Sequence, residues 1–152
     1  MPWVASEPIR VVIPGPPRAW QRAGHRIAKA KSGRLFVHSY TKTETREEQK
    51  NFKFFAMKAM DGRPPIDAAI ELRFVAYVPV PESWSKKKKA AALADQIRPT
   101  PKPDFDNYSR MIDALKGLIW VDDSRVTDAA IGKRYSSTPR LVIEVRQLTW
   151  QD

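Results

Sequence analysis

The sequence predicts an α+β domain, one mixed β-sheet with helices packed on it. Three observations carry this. Short stretches alternate apolar and polar residues, as strands do, above all Ala68 to Val80. Other stretches repeat apolar residues every three or four positions, as helices do, above all Thr43 to Met60. The two kinds interleave as strand, basic arm, helix, strand, short helix, helix, strand, strand, with no internal repeat. The chain of 152 residues matches one domain, 1–152, and its 42% hydrophobic content is enough for a core.

Each element has a local reason. Ile9 to Ile13 reads as a strand with Ile9, Val11 and Ile13 on one face, and Pro14-Gly15-Pro16-Pro17 stops it. Arg18 to Ser39 is basic and weakly periodic, and reads as an exposed arm or a hairpin closing at Ser32-Gly33. Thr43 to Met60 carries Glu44, Glu47 and Glu48 near its start and Lys58 near its end, which suits the helix dipole. Its core stripe is Phe52, Phe55, Ala56 and Ala59. Asp61 to Pro65 is a turn. Along Ala68 to Val80, Ile70, Leu72, Phe74, Ala76 and Val78 share one face. Ser85 is placed to cap a short helix from Lys86 to Gln96. After a proline-broken link, Arg98 to Pro103, a further helix is expected from Asn107 to Lys116, with Gly117 as its cap. Val126 to Tyr135 and Leu141 to Gln147 read as closing strands.

Lys and Arg number 27 against 17 Asp and Glu, a net charge of +10. Such an excess draws a chain to polyanions, nucleic acid or an anionic membrane surface, or serves solubility alone. The absence of cysteine excludes disulfides and thiolate metal sites and fits a reducing cytoplasm. No run of about 18 apolar residues offers a membrane-spanning helix, and Met1 to Arg10 lacks the apolar core of a signal peptide. Basic residues gather in Arg18 to Arg34 and Lys86 to Lys89. The four lysines are either a solvated helix face or a phosphate-contacting one.

Against this background the acids are concentrated: Asp104, Asp106, Asp113, Asp122, Asp123 and Asp128. If the backbone after Pro103 is extended, Asp104 and Asp106 point the same way, and their mutual repulsion calls for a bound cation. Hard divalent ions prefer such oxygen ligands. In the helix that follows, Tyr108, Met111, Ile112 and Leu115 form a buried stripe, with Asp106, Arg110, Asp113 and Gly117 nearly opposite. The apolar run Leu118 to Val121 then allows the chain to turn back and bring Asp122 or Asp123 beside the first two acids. Plainer readings stand alongside. Asp106 is also a natural helix N-cap, Asp113 a natural ion-pair partner for Arg110, and one of Asp122 and Asp123 a turn residue.

The segments Lys102 to Asn107, Asp113 to Gly117 and Val121 to Val126, with Lys133, resemble the RusA family of crossover junction endodeoxyribonucleases, the Holliday junction resolvases common in phages and prophages. Ile13 to Pro17 and Val80 to Lys86 extend the likeness over nearly the whole chain. The resemblance implies a RusA-like fold and a Mg²⁺-dependent enzyme (Mn²⁺ as the alternative) that cuts four-way DNA junctions in recombination and repair. It further implies a homodimer acting on branched DNA, away from membranes, in the cytoplasm of a bacterial or phage-infected cell. It assigns metal binding to Asp104, Asp106 and Asp123, and a catalytic role to these acids and Arg110. The family has lysine at the Arg110 position, and the step from Asp106 to Asp113 is one residue shorter here. The DNA surface expected from the basic segments is Arg18, Arg22, Arg26, Lys29, Lys31, Arg34, Lys86 and Lys87, joined by Lys102 and Lys133. Two other readings compete. One is a different structure-selective phage nuclease. The other is a non-catalytic DNA-binding module with Trp20 and Trp84 stacking on bases.

Overall fold

A computed structural model describes residues 2–18, 24–40 and 43–152. In chain order its elements are β1 (Trp3–Ala5), β2 (Ile9–Pro14), β3 (Gly24–Lys29), β4 (Leu35–Tyr40), α1 (Thr43–Met60), β5 (Ile70–Val78) and α2 (Lys86–Leu93). A 3₁₀ turn (Phe105–Tyr108) then leads into α3 (Ser109–Asp113), and a second 3₁₀ turn (Asp123–Arg125) into β6 (Val126–Tyr135) and β7 (Arg140–Trp150).

The longest strand, β7, is the hub. It pairs antiparallel with β2, from Ile9 opposite Val145 to Pro14 opposite Arg140, and with β1, Trp3 opposite Trp150. It also pairs antiparallel with β5, which in turn runs parallel to β6. The result is a five-stranded mixed sheet, with β3 and β4 forming a separate two-stranded hairpin. The parallel β5–β6 step requires a crossover. That crossover carries α2, the Asp104 loop and α3, and so sets every candidate acid against the sheet.

Strand alternation decides the core. Ile9, Val11, Ile70, Leu72, Phe74, Ala76, Leu141, Ile143 and Val145 are buried under Phe52, Ala56 and Met60 of α1 and under Tyr108, Met111 and Leu115. Each large side chain so buried contributes about 1.5–3 kcal/mol, which fixes α3 although it is only five residues long. The sheet's other face carries Arg134, which pairs with Asp95, just beyond the end of α2, at 3.7 Å. Its cross-strand rows are read from the register: Arg134, Tyr77 and Arg140 in one, Val75 and Val142 in the next, then Arg73 and Glu144 with Arg10.

The expected fold class, the α1 limits and the hairpin agree with this structure; Ala30 and Arg34 close the hairpin around Ser32-Gly33. Ser85 caps α2, accepting from the Lys88 N–H at 3.2 Å. Two points differ from the expected elements. The helix expected from Asn107 to Lys116 starts as a 3₁₀ turn and is α-helical only from Ser109 to Asp113, because turns follow at once and Gly117 reverses the chain at φ +79°. Strand β1 was not foreseen: three exposed residues give no pattern, and its place comes from pairing with β7 and the Trp3–Trp150 edge contact at 5.4 Å.

Candidate active site

The loop that presents the first acids is built by prolines and one lysine. Pro99 is buried, and Pro101 and Pro103 interrupt any regular ladder because they carry no N–H. Their carbonyls are not wasted: Lys133 of β6 donates from Nζ to Pro101 O at 2.9 Å and to Pro103 O at 3.0 Å. Asp104 follows directly. Its backbone is extended, at φ −66° and ψ 153°, and it stands at the N-cap of the 3₁₀ turn without making a side-chain capping bond. Asp106 lies inside that turn, which closes through Asn107 N–H to Asp104 O at 3.1 Å. The extended backbone expected across both acids therefore holds only for Asp104, and the N-cap position read for Asp106 falls two residues earlier, on Asp104. Both carboxylates are exposed. Tyr108 anchors the turn: it is fully buried, its ring 5.5 Å from that of Phe74. Burial raises its phenol above the ordinary range, so the hydroxyl stays protonated.

Arg110 is half-buried in α3, four residues after Asp106. Asp113 is exposed at the end of the same helix. Beyond it, Lys116 pairs with Asp122 at 3.2 Å. Asp122 also caps the second 3₁₀ turn, accepting from the Ser124 N–H at 3.0 Å. Hydrogen bonds from Ser124, then Lys116, hold its carboxyl well below the usual range, and bonding to Asp122 raises the Lys116 ammonium. Asp122 is thus the turn residue of the pair. Asp123 has a different partner: the buried indole of Trp120 donates from Nε1 to its Oδ1 at 2.8 Å. A buried indole N–H needs an acceptor, and here that need orients a carboxylate. Nothing in the sequence analysis singled out Trp120; the signal was a tryptophan three residues before an acid at the end of an apolar run.

Within one chain Asp123 does not join Asp104 and Asp106. Asp123 precedes the start of β6, where Val126 lies opposite Ile70, and the Asp104 loop is tied to Lys133, opposite Ala76. Seven strand residues separate these anchors, about 23 Å at 3.3 Å per residue. Among the described residues no three His, Asp or Glu side chains gather where one metal ion could be held. A single chain offers two exposed carboxylates on the loop tied to Lys133 and one oriented carboxylate just before Val126. All are oxygen donors of the type that Mg²⁺ takes.

The expected DNA surface is divided. Arg26, Lys29, Lys31 and Arg34 belong to the β3–β4 hairpin, whose Ile27, Leu35 and Val37 are also exposed. Arg18 is exposed beside the Pro14–Pro17 turn, and Arg22 and Trp20 lie outside the described residues. Lys86 and Lys87 are exposed at the start of α2, and Lys102 is exposed in the acid loop. Trp84 is not a bare stacking platform: Lys88 Nζ sits 3.9 Å from its ring centre and Tyr135 meets its edge at 5.3 Å. The sequence reading missed the arginines of the sheet's other face, where Arg140 lies 4.0 Å over the Tyr77 ring. Strand parity alone could have found them.

A basic α+β fold that exposes paired carboxylates on a loop between parallel strands has the makings of a nucleic-acid-cleaving enzyme. Residues 14–146 match the family described as Endodeoxyribonuclease RusA, which covers most of the chain. The protein belongs to this family of endodeoxyribonucleases. The uncharacterized protein YqaN of Bacillus subtilis (strain 168) is 40% identical over 108 residues, 67% of this chain and 76% of that relative. Among the described residues no helix is long and apolar enough to cross a membrane.

Proposed function

We propose that the protein is a homodimeric, divalent-metal-dependent endonuclease that resolves four-way DNA junctions by paired phosphodiester cuts. The observation that carries the chemistry is the state of the acids: Asp104 and Asp106 are exposed, Asp104 makes no capping bond, and Asp123 is aimed by Trp120. The donor chemistry fits a hard divalent ion, with Asp104, Asp106 and Asp123 as its holders. Such an ion, when bound, polarises the phosphoryl group and lowers the pKa of an attacking water. The separation of their backbone anchors along β6 favours a site shared between two copies, the loop of one facing Asp123 of the other. A two-fold dimer would then carry two such sites, as two symmetric cuts require. Arg110, one turn after Asp106, is the residue to hold the scissile phosphate by two charge-assisted bonds.

The test is cleavage of a synthetic four-way junction, a fork and a plain duplex, with and without Mg²⁺. The expected result is paired cutting of the junction, dependent on Mg²⁺. Preference for the fork would assign the protein to another structure-selective nuclease, and binding without cutting would make it a DNA-binding module. Asp104→Asn, Asp106→Asn and Asp123→Asn are each expected to abolish cleavage and to leave junction binding in metal-free buffer within about twofold, since binding rests on cations.

A further inference from the structure

The mixed sheet has two edges, and they differ. One is divided between β1 and β2 and ends in Pro14. The other is β6, a strand of 10 residues without a proline, paired with β5 on one side only. The Ser136 N–H donates to Val78 O. By strand alternation Ala130, Gly132 and Arg134 therefore turn their peptide groups toward β5, and Ala129, Ile131 and Lys133 turn theirs outward. Among the described residues no backbone bond meets that outward row. Thr127, Asp128, Ala129 and Ala130 are exposed, and small side chains at Ala129, Ala130 and Gly132 leave the backbone approachable. The Lys133 charge, which could hold a neighbouring strand away, is spent on the loop carbonyls. An open edge of this kind is a template for another strand.

On the shared-site reading, on which this inference rests, the strand that fits is β6 of a second copy. Two identical strands paired antiparallel about a two-fold axis set each residue opposite one of the same parity. With the axis beside Ala130, Val126 lies one residue from the position opposite Lys133 of the second copy. The anchors of Asp123 and of the Asp104 loop, about 23 Å apart along one chain, then stand about 6 Å apart across the joint, at 3.3 Å per residue and 4.8 Å between strands. Such an axis also keeps the core faces of both sheets on one side. Lys133 shares its face of β6 with Ile131, which packs on the core, and Asp123 is held by the core residue Trp120. Charge agrees with the same register. The Arg134 guanidinium lies over Gly132, one nitrogen 3.2 Å from where a Cβ would stand. Asp128 of one copy falls opposite Gly132 of the other, so its carboxylate meets that guanidinium, twice by symmetry. We propose that two copies join edge to edge through antiparallel β6 strands centred on Ala130, and that this joint assembles both acid sites.

The chain has no cysteine, so a single introduced thiol reports on the joint. Ala130 faces its own copy in a pair without mutual hydrogen bonds, where Cα atoms stand about 4.5 Å apart, inside the disulfide range. Mild oxidation of full-length Ala130→Cys is expected to link most of the protein into dimers, which still cut a four-way junction at close to the wild-type rate. Ala129→Cys, set opposite Ile131 of the second copy, should stay largely unlinked. Asp128→Arg, at an exposed position, should raise the dimer dissociation constant measured by sedimentation about tenfold, because it replaces two attractive pairs by repulsive ones. Absence of linking at Ala130→Cys, or equal linking at both positions, in a protein that is dimeric and cuts junctions overturns the β6 joint and leaves the nuclease reading standing. An unchanged dissociation constant for Asp128→Arg, or a linked dimer that cuts only after reduction, does the same. Full cutting by a protein that sediments only as a monomer overturns the joint and the shared site together. Linking at Ala130→Cys in a protein whose wild type cuts no junction supports the joint and overturns the nuclease reading.

Discussion

A guanidinium one turn beyond Asp106 keeps its charge at every working pH, so Arg110 is suited to holding a phosphate and poorly suited to passing a proton. Its place on half-buried α3 gives it a fixed approach. Arg110→Ala should slow single-turnover junction cleavage by about 10²-fold or more, the usual effect of losing a transition-state donor, with binding little changed. Arg110→Lys should keep measurable activity, because charge is preserved while the second phosphate bond is lost. Cleavage by Arg110→Ala at the wild-type rate would leave Arg110 a structural partner only. Asp122, by contrast, belongs to folding. Its carboxyl is held below the usual 3.8 by bonds from Ser124 and Lys116. A lowered carboxyl value means that the stabilisation is complete above the unfolded value and fades as pH falls below it. Lys116→Gln should therefore lower the melting temperature of the metal-free protein at pH 7, by a margin that shrinks as the pH falls below the ordinary carboxyl value of 3.8. The effect should be small and salt-sensitive, since both side chains are about half exposed. A difference that persists undiminished into acid would show that the lysine acts by packing and not by charge.

The acid loop is held by a strand residue and not by its own sequence, which explains what could be read in advance. Helix α1 was legible to its limits because eighteen residues repeat one apolar stripe between opposite end charges. Strands β5 and β6 and the basic hairpin were legible from alternation and from Ser32-Gly33. The loop was legible in composition only. Its prolines announced irregular backbone, but whether Asp106 follows Asp104 in extension depends on where the first turn closes, and a bond from Asn107 N–H closes it early. Lys133 read as a DNA-contacting cation, whereas its ammonium meets two proline carbonyls across the β5–β6 crossover. Hydrogen bonds to a charged donor contribute about 1.5–3 kcal/mol. Lys133→Met, which keeps the aliphatic stem, should lower stability by roughly that amount. It should also reduce cleavage more than junction affinity, and leave the salt dependence of binding nearly unchanged. Loss of about one unit of phosphate contact from the log–log salt slope would return Lys133 to the DNA surface.

At the scale of the molecule, charge and geometry point in the same direction. A net charge of +10 brings the protein to DNA and also opposes its own association, so two copies come together more readily on a shared polyanion or through apolar surface. The β3–β4 hairpin exposes Ile27, Leu35 and Val37 among its cations, which suits either kind of contact. The stronger argument is the separation of the acids. The Asp104 loop is tied to Lys133 and Asp123 precedes Val126, seven residues apart along β6, and on the proposed reading the third acid comes from a second copy. This makes a prediction that no single-chain site shares. Asp104→Asn and Asp123→Asn should each be inactive alone. Mixed and allowed to exchange subunits, they form heterodimers in which one site combines the intact loop of the Asp123→Asn chain with the intact Asp123 of the Asp104→Asn chain. The other site carries both lesions. The mixture should therefore regain cutting of one junction strand without the paired second cut, at up to about a quarter of the wild-type site concentration if exchange is random, since half the dimers are mixed and each has one of two sites. Asp104→Asn mixed with Asp106→Asn should regain nothing, because both lesions lie in the loop. Inactivity of the first mixture, with exchange verified by differently tagged subunits, would place all three acids of a working site in one chain and require the segment around Asp123 to move on binding DNA.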